Sequence, residues 1–283
     1  LVAGAGGLGC PAILYLAAAG VGTIGIADGD RVTASNLNRQ ILFGPHDIGN
    51  SKAAAAARFV NDRYTDVRIQ VYDKYLTVEN LPALLPDYDL VIDGTDNFAA
   101  RYMINDASVL FHKPLIYGAV YKYEGQAALF NAFPGSANYR DLYPAMPSPD
   151  EIPNCFETGV LGVLPGIIGT LQATEAIKWI TGIGKPLINR VLFYNLKDHS
   201  VYETSLDIGW TEALKRAGRE ASVFIDIRDP MEIPRWNDQR CLEIPASHLA
   251  HHRDSFMKAK AVFLFCQHGI RSVAAARELR ILL

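Results

Sequence analysis

Along the first half of the chain, short β-branched runs alternate with stretches whose apolar residues recur at helical spacing, the pattern of a parallel sheet covered by helices. Leu1 to Ala3 reads as a strand stub leading through Gly4-Ala5-Gly6-Gly7-Leu8-Gly9 into a helix from about Cys10 to Ala19. Thr23 to Ala27 makes a second strand ending at Asp28, Ser51 to Asp62 an alanine-rich helix, and Ile69 to Tyr72 a third strand. Leu90 to Asp93 reads as a buried strand whose carboxyl end carries Gly94-Thr95-Asp96-Asn97. Open α/β sheets bind ligands outside the carboxyl ends of their strands, so this turn is a place to look for chemistry.

After Pro114 the alternation suggests antiparallel strands, Leu115 to Val120 and Gln126 to Phe130, followed by an irregular Pro-rich crossing from Tyr143 to Pro153 that suits a loop over a site. A helix over Leu164 to Thr181 has Gly182 as its C-cap, and its apolar face reads as core or dimer surface. Arg190 to Tyr194 and Val201 to Thr204 read as strands flanking the turn Lys197-Asp198-His199. The polar, helical stretch Gly209 to Glu220 forms most of a linker. A new unit follows it, with strands Val223 to Asp226 and Ala261 to Phe265 and a helix from Ser272. The sequence shows neither internal repeat nor low-complexity tract.

The length of 283 residues corresponds to about two domains at ~150 residues each. Lys and Arg total 27 against 30 Asp and Glu, a net charge of −3 that gives no electrostatic reason to expect nucleic acid or an anionic membrane. The most apolar stretch, Val160 to Ile168, is broken by Gly162, Pro165 and Gly166 and is far shorter than the ~20 residues of a membrane span, so a soluble protein is expected. Cys10, Cys155, Cys241 and Cys266 contain no CxxC pair, which argues against a disulfide framework or a tetrathiolate zinc site and favours a reducing cytoplasm. The opening Leu1-Val2-Ala3 enters the glycines without Met or leader, as if a first strand were cut through its middle.

Gly4, Gly6 and Gly9 satisfy GxGxxG between strand and helix, where small residues let backbone N–H groups approach phosphate. Asp28, at the end of the second strand, can accept hydrogen bonds from ribose hydroxyls. These two features fit an NAD-dependent oxidoreductase equally well.

Ser35-Asn36-Leu37-Asn38-Arg39-Gln40, then Lys52, then Asp93-Gly94-Thr95-Asp96-Asn97 separate the two readings. Together with Gly4 to Gly9 they resemble the adenylating enzymes that activate ubiquitin-like proteins, most closely the MoeB, ThiF and HesA group acting on sulfur-carrier proteins. The resemblance spans residues 1 to about 205. It implies that Gly4, Gly6, Gly7 and Gly9 line ATP, that Asp28 holds the ribose, that Asn36, Arg39, Gln40 and Lys52 contact the phosphates, and that Asp96, beside Asn97, binds Mg²⁺. It also implies a homodimer in which an N-terminal segment absent from this sequence lends an arginine to the partner's ATP site.

The chemistry makes independent sense of these residue types. A carboxylate attacking the α-phosphate of ATP brings two anions together, so Arg39, Lys52 and Mg²⁺ are needed to neutralise charge, and no general base is required. Asp96 and Asn97 offer the hard oxygens that suit Mg²⁺. Taken singly, Lys52 would ordinarily be a solvated charge on an alanine-rich helix and Arg39 a surface ion-pair partner.

Cys155, in Pro153-Asn154-Cys155-Phe156-Glu157-Thr158-Gly159, stands where the family carries a cysteine. The resemblance gives it either a thioester link to the activated carboxyl or a place in the sulfur relay; a small buried residue is the alternative. Many relatives bind structural zinc through two CxxC pairs, but Tyr139 to Tyr143 and the turn at Lys197 to His199 lack cysteines, so no structural zinc is expected.

Cys266 ends a strand and opens Cys266-Gln267-His268-Gly269-Ile270-Arg271-Ser272 just before a helix. A loop closing on a helix N-terminus surrounds the sulfur with backbone donors, and Arg271 adds charge, which favours thiolate or persulfide. This loop, with Asp226-Ile227-Arg228-Asp229-Pro230 before it, resembles a rhodanese domain. It implies a Cys266 persulfide cradled by Gln267, His268, Gly269, Ile270 and Arg271.

The expected architecture is therefore α/β: a Rossmann-like adenylation domain with a mixed sheet over 1–205, a linker over 206–220, and a smaller rhodanese-like domain over 221–283. The last is truncated, since such a unit needs ~100 residues. The expected function is MgATP-dependent adenylation of the C-terminal glycine of a ubiquitin-like sulfur carrier of the MoaD or ThiS type, with sulfur from Cys266 giving a thiocarboxylate for molybdopterin or thiamine synthesis. A cysteine desulfurase or thiosulfate would supply the sulfur. The rivals are a Rossmann oxidoreductase, which leaves Arg39, Lys52 and Asp96 unexplained, and a non-catalytic scaffold for ubiquitin-like proteins.

Overall fold

The computed structural model describes residues 1–144, 159–206, 222–227, 241–255 and 261–265. The chain divides into two compact units, Leu1–Ser148 with Ile152–Ile208, and Pro149–Glu151 with Gly209–Leu283.

The first unit is built on an eight-stranded sheet in the order β3-β2-β1-β4-β5-β6-β7-β8. Its strands are β1 (Val2–Ala3), β2 (Thr23–Ala27), β3 (Arg68–Tyr72), β4 (Val91–Asp93), β5 (Leu115–Tyr121), β6 (Glu124–Phe130), β7 (Arg190–Asn195) and β8 (Val201–Ser205). The five from β3 to β5 run parallel, and from β5 onward each pairs antiparallel with the next. The expected mixed Rossmann-like sheet is what forms. β1 is buried and pairs on both sides, Val2 opposite Ile26 and Ile92, which suits a strand made only of small apolar residues.

The helices are α1 (Gly9–Ala18), α2 (Lys52–Asn61), the single turn α3 (Leu81–Leu84), α4 (Phe98–Leu110), the single turn α5 (Tyr139–Leu142) and α6 (Val163–Thr181). α6 packs on α1 and on β5 and β6, whereas α2 packs on β2 and β3. The principal core joins Ile13 and Leu16 of α1 to Ile24, Ile26, Ile92 and Ile116 of the sheet and to Ala173 and Ala176 of α6. Gln172 of α6 is fully buried and donates to the carbonyls of Asp93 (2.7 Å) and Ile116 (3.3 Å), a polar tie inside this apolar layer.

In the second unit β9 (Ser222–Asp226), β10 (Cys241–Glu243) and β11 (Ala261–Phe265) form a parallel sheet in the order β10-β9-β11. Ile225, Ile227, Ile244 and Leu249 form its buried cluster. The stretch Gly209 to Glu220, expected to be helical, Cys155, Cys266 and Gln267 to Arg271 lie outside the described residues.

Candidate functional site

β1 lies between β2 and β4, so the glycine loop that follows it is laced to the carboxyl ends of both. Gly4 donates to the Ala27 carbonyl and Gly94 to the Ala3 carbonyl, each at 2.8 Å. Gly4 has a φ of +95°, and a Cβ there would meet the Gly94 carbonyl oxygen at 2.9 Å. A Cβ on Gly9 would collide with the carbonyl of Gly4. Only glycine allows the turn before α1 to close this tightly on the turn after β4. Gly9 is thereby consumed in packing and does not line the cavity, unlike Gly4, Gly6 and Gly7. The loop and the N-terminus of α1 leave backbone donors facing a cavity of about 410 Å³.

Asp28 is buried at the edge of that cavity. Its Oδ2 accepts from the Ala5 N–H (2.7 Å) and its Oδ1 from the Asp30 N–H (2.8 Å). Burial raises its pKa above the usual range, opposed by these two hydrogen bonds and by the charge of Lys52. Asp28 thus fixes the shape of the glycine loop, with each oxygen retaining acceptor capacity toward the cavity.

Asn36 sits in a short 3₁₀ turn, Ala34–Asn36, and is buried. Its side chain accepts from the Thr33 N–H (3.3 Å), while its carbonyl accepts from the N–H groups of Arg39 (3.1 Å) and Gln40 (3.0 Å). Asn36 itself does not line the cavity. Asn36 folds the turn that presents Arg39 and Gln40. Arg39 is further steadied by the Ser35 carbonyl (3.1 Å) and Asn38 Oδ1 (3.0 Å), and it lines the cavity together with Gln40, Ser35 and Asn38.

Lys52 is the first residue of α2, which Ser51 caps by accepting from the Ala54 N–H. It is not the solvated charge that an alanine-rich helix would suggest: it is buried, lines the cavity, and donates from Nζ to Asp30 Oδ2 at 2.7 Å. Asp30 also accepts from the Tyr75 hydroxyl. Burial pushes the Asp30 carboxyl upward, but the hydrogen bonds from Lys52 and Tyr75 and the lysine's charge outweigh it and hold the pKa below the usual range.

At the end of β4, the buried Asp93 accepts from the N–H (2.9 Å) and hydroxyl (2.6 Å) of Thr95, and Arg101 donates to the Thr95 carbonyl at 3.1 Å. This ties down the turn on which Asp96 is exposed into the cavity. Asn97 lines the cavity too, and its Oδ1 caps α4 by accepting from the Ala100 N–H at 2.9 Å. Among the described residues no three His, Cys, Asp or Glu side chains gather as a metal set. On the turn after β4 one carboxylate, Asp96, faces the cavity. That fits Mg²⁺, which keeps waters and substrate phosphates as most of its ligands, and does not fit an all-protein metal cage.

The motifs thus bring together Gly4, Gly6, Gly7, Asp28, Arg39, Gln40, Lys52, Asp96 and Asn97. Gly159 and Val160, which follow the segment carrying Cys155, line the same cavity. Sequence reasoning missed Asp30, Tyr75, Leu76 and Arg101. The Asp28-Gly29-Asp30 repeat of carboxylates was a usable signal for the first, whereas nothing in the linear order joins Tyr75 and Leu76 to Asp30 or Arg101.

Residues 1–208 match the model of the ThiF family. The chain is 40% identical over 316 aligned residues to a Mycobacterium tuberculosis protein described as "Probable adenylyltransferase/sulfurtransferase MoeZ", covering 97% of this chain and 80% of that protein. It is 46% identical over 204 residues to a Thermus thermophilus "Sulfur carrier protein adenylyltransferase", covering 71% of this chain and 75% of the relative. Among solved structures, Escherichia coli MccB with ATP superimposes with a TM-score of 0.63 at 20% identity, over 72% of this chain and 63% of that one, a likeness of fold. None of the helices among the described residues is long and apolar enough to cross a membrane.

Proposed function

This chain belongs to the ThiF family, matched over residues 1–208, and from that premise we propose that it adenylates the C-terminal glycine of a ubiquitin-like sulfur-carrier protein and then transfers sulfur to it. The observation that carries the reading is the convergence of two cations, Arg39 and Lys52, with Asp96 and a close-packed glycine loop in one cavity. The relatives' names as adenylyltransferases and sulfurtransferases agree with it.

In this reading the loop amides at Gly6 and Gly7 and the N-terminus of α1 bind phosphate oxygens. Asp28 accepts from the ribose hydroxyls, and Arg39 and Lys52 flank the α-phosphate. The carrier's terminal carboxylate oxygen forms a bond to the α-phosphorus while the bond to the bridging oxygen breaks, giving acyl adenylate and pyrophosphate. The nucleophile is already ionised, so the chain's contribution is positive charge held in place, not proton transfer. Asp96 would hold Mg²⁺, which when bound supplies further neutralisation of the triphosphate.

The finer steps belong to the same proposal. The outer sulfur of a Cys266 persulfide, cradled by Gln267 to Arg271 and loaded by a cysteine desulfurase or thiosulfate, attacks the acyl carbon and expels AMP to give an acyl disulfide. A thiolate then attacks the Cys266 sulfur, the S–S bond breaks toward the carrier, and the thiocarboxylate leaves behind a disulfide that an external thiol reduces. Cys155 serves as acyl acceptor or sulfur relay, the unit over 1–205 acts as adenylyltransferase and that over 221–283 as sulfurtransferase, and the enzyme works as a cytoplasmic homodimer in molybdopterin or thiamine synthesis. A Rossmann oxidoreductase would leave the buried Lys52 ammonium without a task. Carrier-dependent exchange of labelled pyrophosphate into ATP, tested with MoaD-type and ThiS-type carriers, decides the matter. Exchange followed by a thiocarboxylate mass shift on the carrier is expected; NADH binding without exchange would reject the assignment.

A further inference from the structure

One wall of the cavity has no counterpart in the motifs. β3 ends at Tyr72, and the chain then passes the end of β2, placing Tyr75 and Leu76 in the cavity lining alongside Asp28, Gly29 and Asp30. This turn is firmly held. Lys74 N–H donates to the Tyr72 carbonyl (2.8 Å), Asn80 Nδ2 donates to the Tyr75 carbonyl (2.8 Å), and Thr77 and Asn80 bond reciprocally at 3.0 and 3.3 Å.

The Tyr75 ring is fixed at both ends. Its hydroxyl donates to Asp30, and its base lies against the backbone of Gly29, where an added Cβ would stand 2.8 Å from ring atoms Cγ and Cδ2. Even so, Tyr75 is 63% exposed. A large aromatic face oriented by contacts at both ends is thus left open on the cavity wall, and what stands beside it says what would cover it. Carboxylates able to accept ribose hydroxyls place a nucleotide's sugar at this end, and the base is one glycosidic bond from that sugar. Leu76 adds an apolar neighbour, and every base has a π-face that an immobile ring can stack on.

We propose that Tyr75 is the stacking wall for the adenine of ATP, held by Gly29 and Asp30, and that it supplies affinity for the base. The inference rests on the reading of the cavity as an ATP site. Its chemistry distinguishes base from triphosphate: the ring interacts with the base alone, whereas Arg39 and Lys52 interact with phosphate alone.

Calorimetric titration of the full chain with MgATP and with ribose 5′-triphosphate, which lacks the base, tests it. Tyr75→Ala is expected to weaken ATP about tenfold and leave ribose triphosphate unchanged, and Tyr75→Phe to restore ATP affinity because the ring is kept and the hydroxyl lost. Equal ATP affinity in wild type and Tyr75→Ala, a parallel loss for both ligands, or a Phe variant as weak as the Ala variant would overturn the inference alone. Failure of the wild type to bind ATP would overturn the ATP reading and the inference with it.

Discussion

Lys52 and Asp30 form an ion pair of 2.7 Å across unequal surroundings, the lysine side chain 7% exposed and the carboxylate 48%. The asymmetry predicts different costs for removing each partner. Lys52→Met frees Asp30 to regain water, so stability should change little, while carrier-dependent pyrophosphate exchange falls by about 10²–10³ in kcat/KM as the charge leaves the phosphate end. Asp30→Ala strands a buried ammonium and should cost about 1–3 kcal/mol. Exchange rates and urea midpoints of the two variants check this; a Lys52→Met enzyme with wild-type exchange would remove the lysine from the chemistry.

The closeness of Gly9 to the Gly4 carbonyl predicts opposite signs for one substitution at two glycines. Gly9→Ala must push the loop off β4, at about 1–3 kcal/mol or ~3–10 °C in Tm, with loss of ATP binding. At Gly166, inside α6, an added Cβ meets nothing within 4 Å. Gly166→Ala should gain about 0.5–1 kcal/mol from reduced chain entropy. Scanning calorimetry measures both, and a tolerated Gly9→Ala would contradict the close-packed loop.

Asp106 receives two 2.7 Å hydrogen bonds from Arg140, tying α4 to α5. These bonds, chiefly, hold the Asp106 pKa below its usual range. A carboxyl depressed on folding stabilises the protein above its unfolded pKa of ~4 and loses that contribution as pH falls through the depressed value. Urea midpoints of wild type and Asp106→Asn should therefore differ most near neutrality and converge in acid. A gap that widens on acidification would reverse the sign and reject the pairing.

Cys266→Ser is expected to abolish persulfide turnover while leaving pyrophosphate exchange intact, and Cys155→Ser to block thiocarboxylate formation downstream of exchange. Loss of exchange in the Cys266 variant would show that the two activities do not separate as drawn. Mass spectrometry of the carrier and the exchange assay read these outcomes.

Much of the framework was legible because the strands are short, β-branched and bounded by glycine or acid. β2 and β11 fall where the alternation places them, and α6 ends at Gly182 as its C-cap pattern implies. The site was legible where one motif supplies several lining residues, as with Gly4, Gly6 and Gly7 or Arg39 and Gln40. Less legible were side chains that also build the backbone: the oxygens of Asn36 and Asn97 each accept from the backbone of their own turn, which the linear motif does not show. Tyr75 was invisible for another reason: its place depends on β3 pairing beside β2, which brings distant residues to one rim.

The two ends of the Pro-rich crossing have a kinetic meaning. Tyr143 is tied on one side, its carbonyl accepting from Tyr102 (2.8 Å) and its hydroxyl donating to Gln126 (3.1 Å), while Gly159 on the other lines the cavity. Under the proposed acyl-acceptor role, the covalent tether of four residues from Cys155 to Gly159 makes the encounter with an acyl adenylate intramolecular, so that dilution of the enzyme does not lower its rate.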